Sequence, residues 1–398
     1  MTKVYNVLIS LLIWSFFLHL LRNVNSAYVA IQGIIFLATC TWFYVSYKLT
    51  KSDVIAITIL CCVFFYVLLL SVIYNDDYGG AALGIFRFSS LIMAFLSALM
   101  VVRSDKVDVF WMVFSQFMAL CALSLYFQFI FGPIDWFAES SERAGFSRYA
   151  SLAGSLTVYG VICGMAIISS YFYFQGWKRI LLISIIVSGG FISLQKAAIA
   201  NIFIAAVGIA IIEKVSFRQL FKIGVIVLVI GAVVLWSTGL YDIAEVGFKS
   251  SLGAAGEDVQ SDVSLLQSAF DRIIELPGIV FDFYGLNRLF WGMGVFGGSG
   301  SLGYPDLPMM HNAYFDIISI AGLPLFSALL IYFITLIYKV TYYFDTLKSA
   351  DVDRKATVLI FLMSMLNMLF ASGNFFQPVI AIILWVSVIY VARMRNRT

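Results

Sequence analysis

Charged residues are scarce in this chain. Asp, Glu, Lys and Arg make up 12% of the 398 residues, about half of the roughly 25% that is usual in soluble domains. Hydrophobic residues make up 62%, and apolar runs long enough to cross a membrane recur along the whole sequence. Because these runs are continuous rather than alternating, they favour helices over barrel strands. The sequence therefore predicts an all-α polytopic membrane protein.

Residue types that carry catalysis in many soluble enzymes are also few. There are two histidines, and all five cysteines fall inside apolar runs, which argues against a disulfide framework or a metal cluster. The net charge of +3 comes without a basic tract, so we expect no nucleic-acid partner. Phosphate-binding loops, nucleophile elbows and zinc-protease motifs are absent from the sequence. With no outward-facing acidic cluster either, we expect no metal ion and no cofactor.

About twelve membrane-spanning helices are predicted, with both termini on one side. They lie at about 5–21, 28–47, 54–74, 81–102, 110–131, 152–174, 180–194, 197–212, 221–240, 313–340, 356–370 and 375–391. Basic residues concentrate in one set of connecting loops and at both termini, and positively charged loops stay in the cytoplasm. We therefore expect cytoplasmic termini, with the first helix retained rather than cleaved as a signal peptide.

The predicted organisation has three parts. Helices one to nine occupy residues 1–240, a large periplasmic loop between helices nine and ten occupies 241–312, and the last three helices with a cytoplasmic tail occupy 313–398. The loop is rich in glycine, but apolar residues recur at helical spacing between Val263 and Ile274, which predicts one amphipathic helix. Loops of this length are usually functional or disordered, and the apolar content here favours a folded segment.

Two short apolar arms lie on either side of Lys196. Each has about 15 residues, whereas a crossing needs about 20. Gly189 and Gly190 lie near the end of the first arm, which is typical of a turn. We therefore expect a helical hairpin that turns at or slightly below the outer membrane surface, with Lys196 in a cavity.

Several basic residues break the positive-inside pattern and lie on the predicted outer side. They are Arg143 and Arg148 in "SERAGFSRYASLAG", Lys196, Arg272 and Arg288, with Arg87 about two turns into the fourth helix. Charge kept near membrane depth needs a partner or a ligand. Arginine suits phosphate because its planar fork binds two oxygens at once and keeps its charge. As a group, these cations predict a site for a lipid-linked phosphate or pyrophosphate.

The alternative for each of these cations is a structural ion pair or a contact with a lipid headgroup, because surface ion pairs are common and weak. The acidic residues available for such pairs are Asp76 and Asp77 near Arg87, and elsewhere Glu139, Glu142, Asp271, Glu275 and Asp282. A structural pair and a substrate contact are both open for Arg87.

His311 lies in "PMMHNAYFDIISIAGLP", at the mouth of the tenth predicted helix. A histidine there, close to water, has a suitable pKa to accept a proton, and the helix N-terminus disfavours the protonated ring. Asn312 is placed to cap the helix, and Asp306 to orient the imidazole. Asp316 lies five residues on and points off that face of the helix. The alternative is a purely structural hydrogen bond, which we expect for His19 in the leucine-rich first helix.

Two sequence motifs carry a family resemblance. The run "FWGMGVF…MMHNAYFDIISIAGLPLF", together with the helix count and the late outer loop, resembles the superfamily of bacterial O-antigen polymerases and O-antigen ligases. "SRYASLAGSLTVYG" resembles the Arg-containing segment of that family that leads into the middle helices, which implies a substrate role for Arg148. "LQKAAIA" stands where the family often has Ser-Arg-Gly, with Lys196 as a substitute.

The resemblance implies a GT-C-like, metal-independent glycosyltransferase of the bacterial inner membrane that acts in the periplasmic leaflet. We expect an inverting polymerase of O-antigen or a related surface polysaccharide, which moves a glycan from undecaprenyl pyrophosphate to another lipid-linked repeat unit. A protein that regulates chain length is a further partner that the family implies. A ligase that transfers the glycan to lipid A core is an alternative, disfavoured by the missing Ser-Arg-Gly. A transporter or lipid flippase is another, although repeated halves are not evident.

Overall fold

The structure is a computed structural model that describes most of the chain. The described residues are 2–21, 27–47, 49–74, 78–133, 140–143, 146–154, 156–214, 225, 229, 233, 236, 270–295, 312–347, 350–370 and 377–394. Nearly all of them lie in helices, and one small hairpin is the exception. The all-α prediction is therefore confirmed apart from this hairpin.

Fourteen α-helices are seen among the described residues. They are α1 (Thr2–Trp14), α2 (Ala27–Ser46), α3 (Lys51–Tyr74), α4 (Tyr78–Arg103), α5 (Val107–Phe131), α6 (Val158–Tyr173), α7 (Gly176–Ile192), α8 (Lys196–Glu213), α9 (Leu276–Tyr284), α10 (Leu286–Trp291), α11 (Ala313–Tyr342), α12 (Phe344–Leu347), α13 (Val352–Asn367) and α14 (Pro378–Arg393). A 3₁₀ segment, Ser15–Leu21, continues α1, and a π-helical turn, Asp271–Glu275, precedes α9. Strands β1 (Ser140–Arg143) and β2 (Phe146–Tyr149) pair in antiparallel fashion.

Four helices in the described part of the chain, α3, α5, α8 and α11, are long and apolar enough to cross a membrane. Shorter apolar helices accompany them, including α6 and α14. Together with the composition, these helices indicate a membrane protein, as the sequence predicts. The count of twelve crossings and their orientation stay predictions.

Eleven of the twelve predicted helices coincide with helices of the structure. The ninth, 221–240, lies mostly outside the described residues, and its four described positions are helical. The predicted start of the sixth helix at Leu152 is wrong, because α6 begins at Val158. Gly154 has a φ of 134°, and Ala153 N–H donates to Ser151 Oγ (3.2 Å). This side-chain turn competes with a helix over the same residues.

Most of the amphipathic helix predicted in the large loop lies outside the described residues. From residue 270 the chain is helical, through the π-helical turn into α9. Pro277 lies in the first turn of α9. Proline is tolerated there because the first turn of a helix has no intrahelical acceptor for its missing N–H.

One compact unit, unit 1, comprises residues 1–36, 101–265 and 343–363. Its core is formed by α5, α6, α7 and α8, with α1 against α5. A Cβ on Gly164 of α6 would collide with Asn201 O of α8, and Asn201 Nδ2 donates to Gly160 O (2.8 Å). The two glycines let the helix backbones approach closely, as small residues do in membrane proteins.

The predicted hairpin is seen, and its turn at 193–195 lies between α7 and α8, where Leu194 has a φ of 52°. Gly189 and Gly190 lie near the end of the first arm, within α7. A Cβ on Gly189 would lie 2.6 Å from both Tyr159 Oη and Ala122 Cβ, so this glycine serves close helix packing.

The other compact unit, unit 2, comprises residues 37–100, 266–342 and 364–398. Helix α11 packs against α3, α10 and α14. A small buried cluster joins α9, α10 and α11 through Val280, Leu289, Met293 and Ile318. Phe281 packs on this cluster edge-to-face with Phe315, with ring centroids 5.4 Å apart. Helices α9 and α10 of the predicted loop therefore pack against α11.

An ion pair ties helix ends together in each unit. In unit 1, Lys355 Nζ lies 2.8 Å from Glu213 Oε1. In unit 2, Arg393 Nη2 lies 2.8 Å from Oδ1 of Asp53, whose side chain is 3% exposed. Both basic residues belong to the segments predicted to be cytoplasmic. Each pair neutralises charge where the ends of two helices meet.

Candidate functional site

Arg148 lies in the hairpin that precedes α6, in unit 1. It belongs to β2, directly opposite Ser141 of β1, and the neighbouring Tyr149 is buried with its ring 4.9 Å from that of Phe129. The Arg148 side chain is half-buried, and its Nη2 donates to Leu156 O (3.1 Å). The hairpin therefore directs this guanidinium to the backbone that leads into α6.

The turn between α7 and α8 reaches the same end of α6. Gln195 is buried, and its Oε1 accepts a hydrogen bond from Gly160 N (2.6 Å) in the first turn of α6. The first four N–H groups of a helix have no intrahelical acceptor. Gln195 therefore caps α6 from the turn between α7 and α8.

Lys196 follows Gln195 directly and is the half-buried first residue of α8. A cation at a helix N-terminus is electrostatically unfavourable, so helix stability does not explain its presence. Leu156 and Gly160 lie about one helical turn apart. The structure thus brings Arg148 and the Gln195–Lys196 pair to one end of α6, where backbone N–H groups favour an anion.

In unit 2 the start of α11 is held firmly. Asn312 is 1% exposed, and its Oδ1 accepts from Tyr314 N (3.1 Å) and Phe315 N (3.4 Å). The predicted cap is confirmed. Ala313 N donates to Met368 O (2.8 Å), so the chain is fixed immediately after His311.

Asp316 is the acidic residue that sequence reasoning set aside. It is 3% exposed, and its N–H donates to Asn312 O (3.1 Å) in the first turn of α11. A carboxylate there interacts favourably with the helix dipole. Asp316 therefore belongs to the buried polar groups at the start of this helix.

Helix α11 is broken, whereas the sequence predicts one continuous helix. Gly322 has φ 82° and ψ 166°, and Pro324 has no N–H to donate to Ile320 O. The carbonyls that lose their intrahelical donors are those of Ser319 and Ile320. They accept instead from Met293 N (2.8 Å) and Gly294 N (3.0 Å).

The segment from Gly292 to Val295, here the glycine segment, fits closely between α11 and α3. A Cβ on Gly292 would lie 2.6 Å from Gly322 N, and a Cβ on Gly294 would collide with Ser71 of α3. Val295 N donates to Ser71 Oγ (2.8 Å). The motifs "FWGMGVF" and "SIAGLPLF" therefore contact each other. Their glycines and proline are the sequence features that correspond to this close contact and to the break in α11.

Arg288 lies in α10, just before the glycine segment. It is exposed, and its guanidinium carbon lies 5.9 Å from the centre of the Tyr74 ring. Within the described residues it forms no ion pair with Glu275 or Asp282.

Other candidates are only partly described. Arg87 lies in α4, Arg143 ends β1, and Arg272 lies in the π-helical turn. Their side chains lie outside the described part of the structure, as do His311 and Asp306 entirely.

Among the described residues, there is no group of three or more His, Cys, Asp or Glu side chains that could hold a metal ion. Comparisons with protein families, curated proteins and solved structures found no match to this chain. The fold and the helix starts define a helical membrane protein with a cationic, donor-rich end of α6.

Proposed function

We propose that this protein is a glycosyltransferase that polymerises O-antigen or a related surface polysaccharide, with a lipid pyrophosphate as the donor. The observation that carries the proposal is the end of α6, where Arg148 and Lys196 accompany the first N–H groups of a helix. A helix start with two cations suits a pyrophosphate. The apolar helices around it suit a donor with a polyprenyl tail.

In this reaction a hydroxyl of the acceptor sugar attacks the anomeric carbon of the donor glycan. The bond from that carbon to the pyrophosphate oxygen breaks, and the configuration inverts. Arg148 and Lys196 stabilise the negative charge that develops on the leaving pyrophosphate. Arg288, Arg272, Arg143 and Arg87 are further candidates for contacts with the donor.

His311 is the proposed general base, which takes the proton of the attacking hydroxyl. The capped start of α11 supports this assignment, because a base works well only when its backbone is held in place. Asn312 and the contact between Ala313 N and Met368 O provide that support. Asp306 is the candidate that orients the ring.

The proposed location is the inner membrane, with both termini in the cytoplasm and the reaction at the periplasmic face. The distribution of basic residues over the loops supports it. The proposed partners are undecaprenyl-pyrophosphate-linked oligosaccharide, membrane lipids and a protein that regulates chain length.

A broken helix favours a second candidate, a transporter or lipid flippase, because discontinuous helices often line substrate paths in transporters. However, the carbonyls of Ser319 and Ile320 at this break are occupied by N–H groups of the glycine segment. They are therefore not left open to coordinate an ion, and we rank this candidate second.

The test uses purified protein in detergent, with lipid-linked oligosaccharide as the only substrate and EDTA present. The polymerase proposal expects a ladder of products on a gel. Because general bases contribute about 10²–10⁴-fold, His311→Ala should slow the ladder by that factor, while His19→Ala, the matched histidine control, should not.

Other outcomes would redirect the assignment. Transfer that begins only when lipid A core is added would identify a ligase. Dissipation of a substrate gradient in liposomes, without any transfer, would identify a transporter. A ladder at the full rate from His311→Ala would remove His311 from the mechanism.

A further inference from the structure

The side-chain amide of Gln195 is oriented by one strong contact. Its Oε1 accepts from Gly160 N (2.6 Å), and a backbone N–H can only donate. The oxygen must therefore face α6, so the Nε2 group faces away from Gly160. Gln195 is 4% exposed, and its buried Nε2 finds no acceptor among the described residues.

A second buried amide, Asn201 in α8, shows the contrast. Asn201 Nδ2 donates to Gly160 O (2.8 Å) and Val161 O (3.3 Å). Its donor capacity is used within the protein, whereas that of Gln195 is not. Buried polar groups nearly always have a partner, so an open donor at Gln195 requires an explanation.

Two basic residues belong to the same end of α6 as Gln195. Lys196 is the next residue, and Arg148 donates to Leu156 O at the same end of α6. That carbonyl is therefore already engaged. An oxygen-rich anion would supply the acceptor that Gln195 lacks.

We propose that Gln195 is a positioning residue of the donor site, whose Nε2 donates a hydrogen bond to a non-bridging oxygen of the pyrophosphate. Arg148 and Lys196 neutralise the charge, and Gln195 adds a directional contact that sets the orientation of the anion. This inference rests on the proposed function and deepens it. Sequence reasoning passed over Gln195 in "LQKAAIA" because glutamine carries no charge.

The test replaces Gln195 by Glu. The Gln195→Glu side chain keeps an acceptor for Gly160 N, but a carboxylate oxygen stands in place of the donor. Inorganic pyrophosphate is titrated into the full-length protein in detergent and followed by calorimetry. We expect Gln195→Glu to raise the Kd at least tenfold, because hydrogen bonds to charged groups are strong and the new charge repels the anion.

Two further variants separate binding from folding. Gln195→Met has a similar shape but neither donor nor acceptor, and it should raise the Kd several-fold. Asn201→Ala removes the amide that is satisfied within the protein. It should lower the melting temperature and leave the Kd within about twofold, since its donor does not face a ligand. In the ladder assay, Gln195→Met should raise KM for the donor more than it lowers kcat.

The outcomes distinguish this inference from the proposed function. If both Gln195 variants bind pyrophosphate as the wild type does, the inference is wrong even when a ladder forms. If the wild-type protein binds no pyrophosphate, the inference is wrong as well. If Gln195→Glu loses binding but the wild-type protein forms no ladder, the anion site stands and the polymerase assignment falls.

Discussion

Close backbone approach is achieved differently in the two units. In unit 1, α6 and α8 cross as continuous helices, and glycine provides only space at Gly160 and Gly164. In unit 2, the glycine segment pairs with a broken helix, and Gly292, Gly294 and Gly322 also have positive φ angles. In the first arrangement, backbone carbonyls of α6 accept hydrogen bonds from a side-chain amide of α8. In the second, backbone N–H groups donate to the carbonyls that the break at Gly322 and Pro324 has freed.

This difference predicts different tolerance to substitution. At the crossing, a Cβ on Gly164 meets the backbone of Asn201, but the helical φ of Gly164 suits any residue. At the break, a side chain meets backbone and also imposes a strained φ, so two penalties add.

The largest effect is expected for Gly322→Ala. Its Cβ would collide with Phe290 O and lie 2.6 Å from the carbonyl carbon of Trp291, at a φ of 82°. We expect a loss of about 3 kcal/mol or more in the free energy of unfolding, measured by unfolding in detergent. Gly278→Ala in α9 is the control, because nothing lies within 4 Å of its Cβ, and it should stabilise by up to about 1 kcal/mol.

A smaller loss is expected for Gly164→Ala in unit 1. Overpacking against Asn201 should cost about 1–3 kcal/mol. In the control Gly208→Ala, the nearest atom is Leu359 Cδ2 at 3.0 Å, on a side chain that can move. A loss at Gly164 equal to that at Gly322 would show that positive φ contributes nothing to the difference between the units.

Ser71→Ala tests the contact between the glycine segment and α3. The variant removes the acceptor of Val295 N, and a buried N–H without an acceptor costs about 1–2 kcal/mol. Ser387→Ala is the matched control, since Ser387 is buried and donates only to Leu384 O of its own helix (2.8 Å). Equal losses of stability in the two variants would contradict a specific role for Ser71.

The smallest effect concerns the charged end of unit 1. Burial raises the pKa of Asp353, the nearby Asp108, Asp351 and Asp105 raise it further, and the hydrogen bond from Tyr173 opposes this. The folded state therefore binds the Asp353 proton more tightly than the unfolded state. Stability is lost as the pH rises from the ordinary pKa of 3.8 through the raised value.

Asp353→Asn should accordingly be more stable than the wild type at pH 7, and the two melting temperatures should converge towards pH 4. Asn keeps an oxygen that can accept the Tyr173 hydrogen bond, so only the charge changes. A difference that grows as the pH falls would contradict the raised pKa.

Several features of this chain could be predicted from short stretches of sequence. Long apolar runs identified the helices, because a helix that crosses the membrane needs about 20 consecutive, mostly apolar residues. Asn312 was recognised as a cap because capping involves only the next few residues. Arg148 and Lys196 stood out because a positive charge beside an apolar run, on the predicted outer side, is unusual.

Gln195 and the break in α11 were missed for a common reason. The contact of Gln195 with Gly160 joins residues 35 apart in the chain, and an uncharged side chain gives no local signal of it. Gly322 and Pro324 were visible in the sequence. Whether a helix bends, breaks or ends there depends on which backbone groups nearby can form hydrogen bonds with the freed carbonyls. Only the folded chain supplies Met293 and Gly294 for that purpose.

The sequence by itself determined that this is a helical membrane protein with cations on its predicted outer side, because hydrophobicity and charge are properties of individual residues. The tertiary structure decided which of those cations share a helix end, which glycines must stay glycine, and which buried amide is left with an open donor. These are decided by hydrogen bonds and contacts between distant segments, and their energies depend on distances that no single stretch of sequence contains.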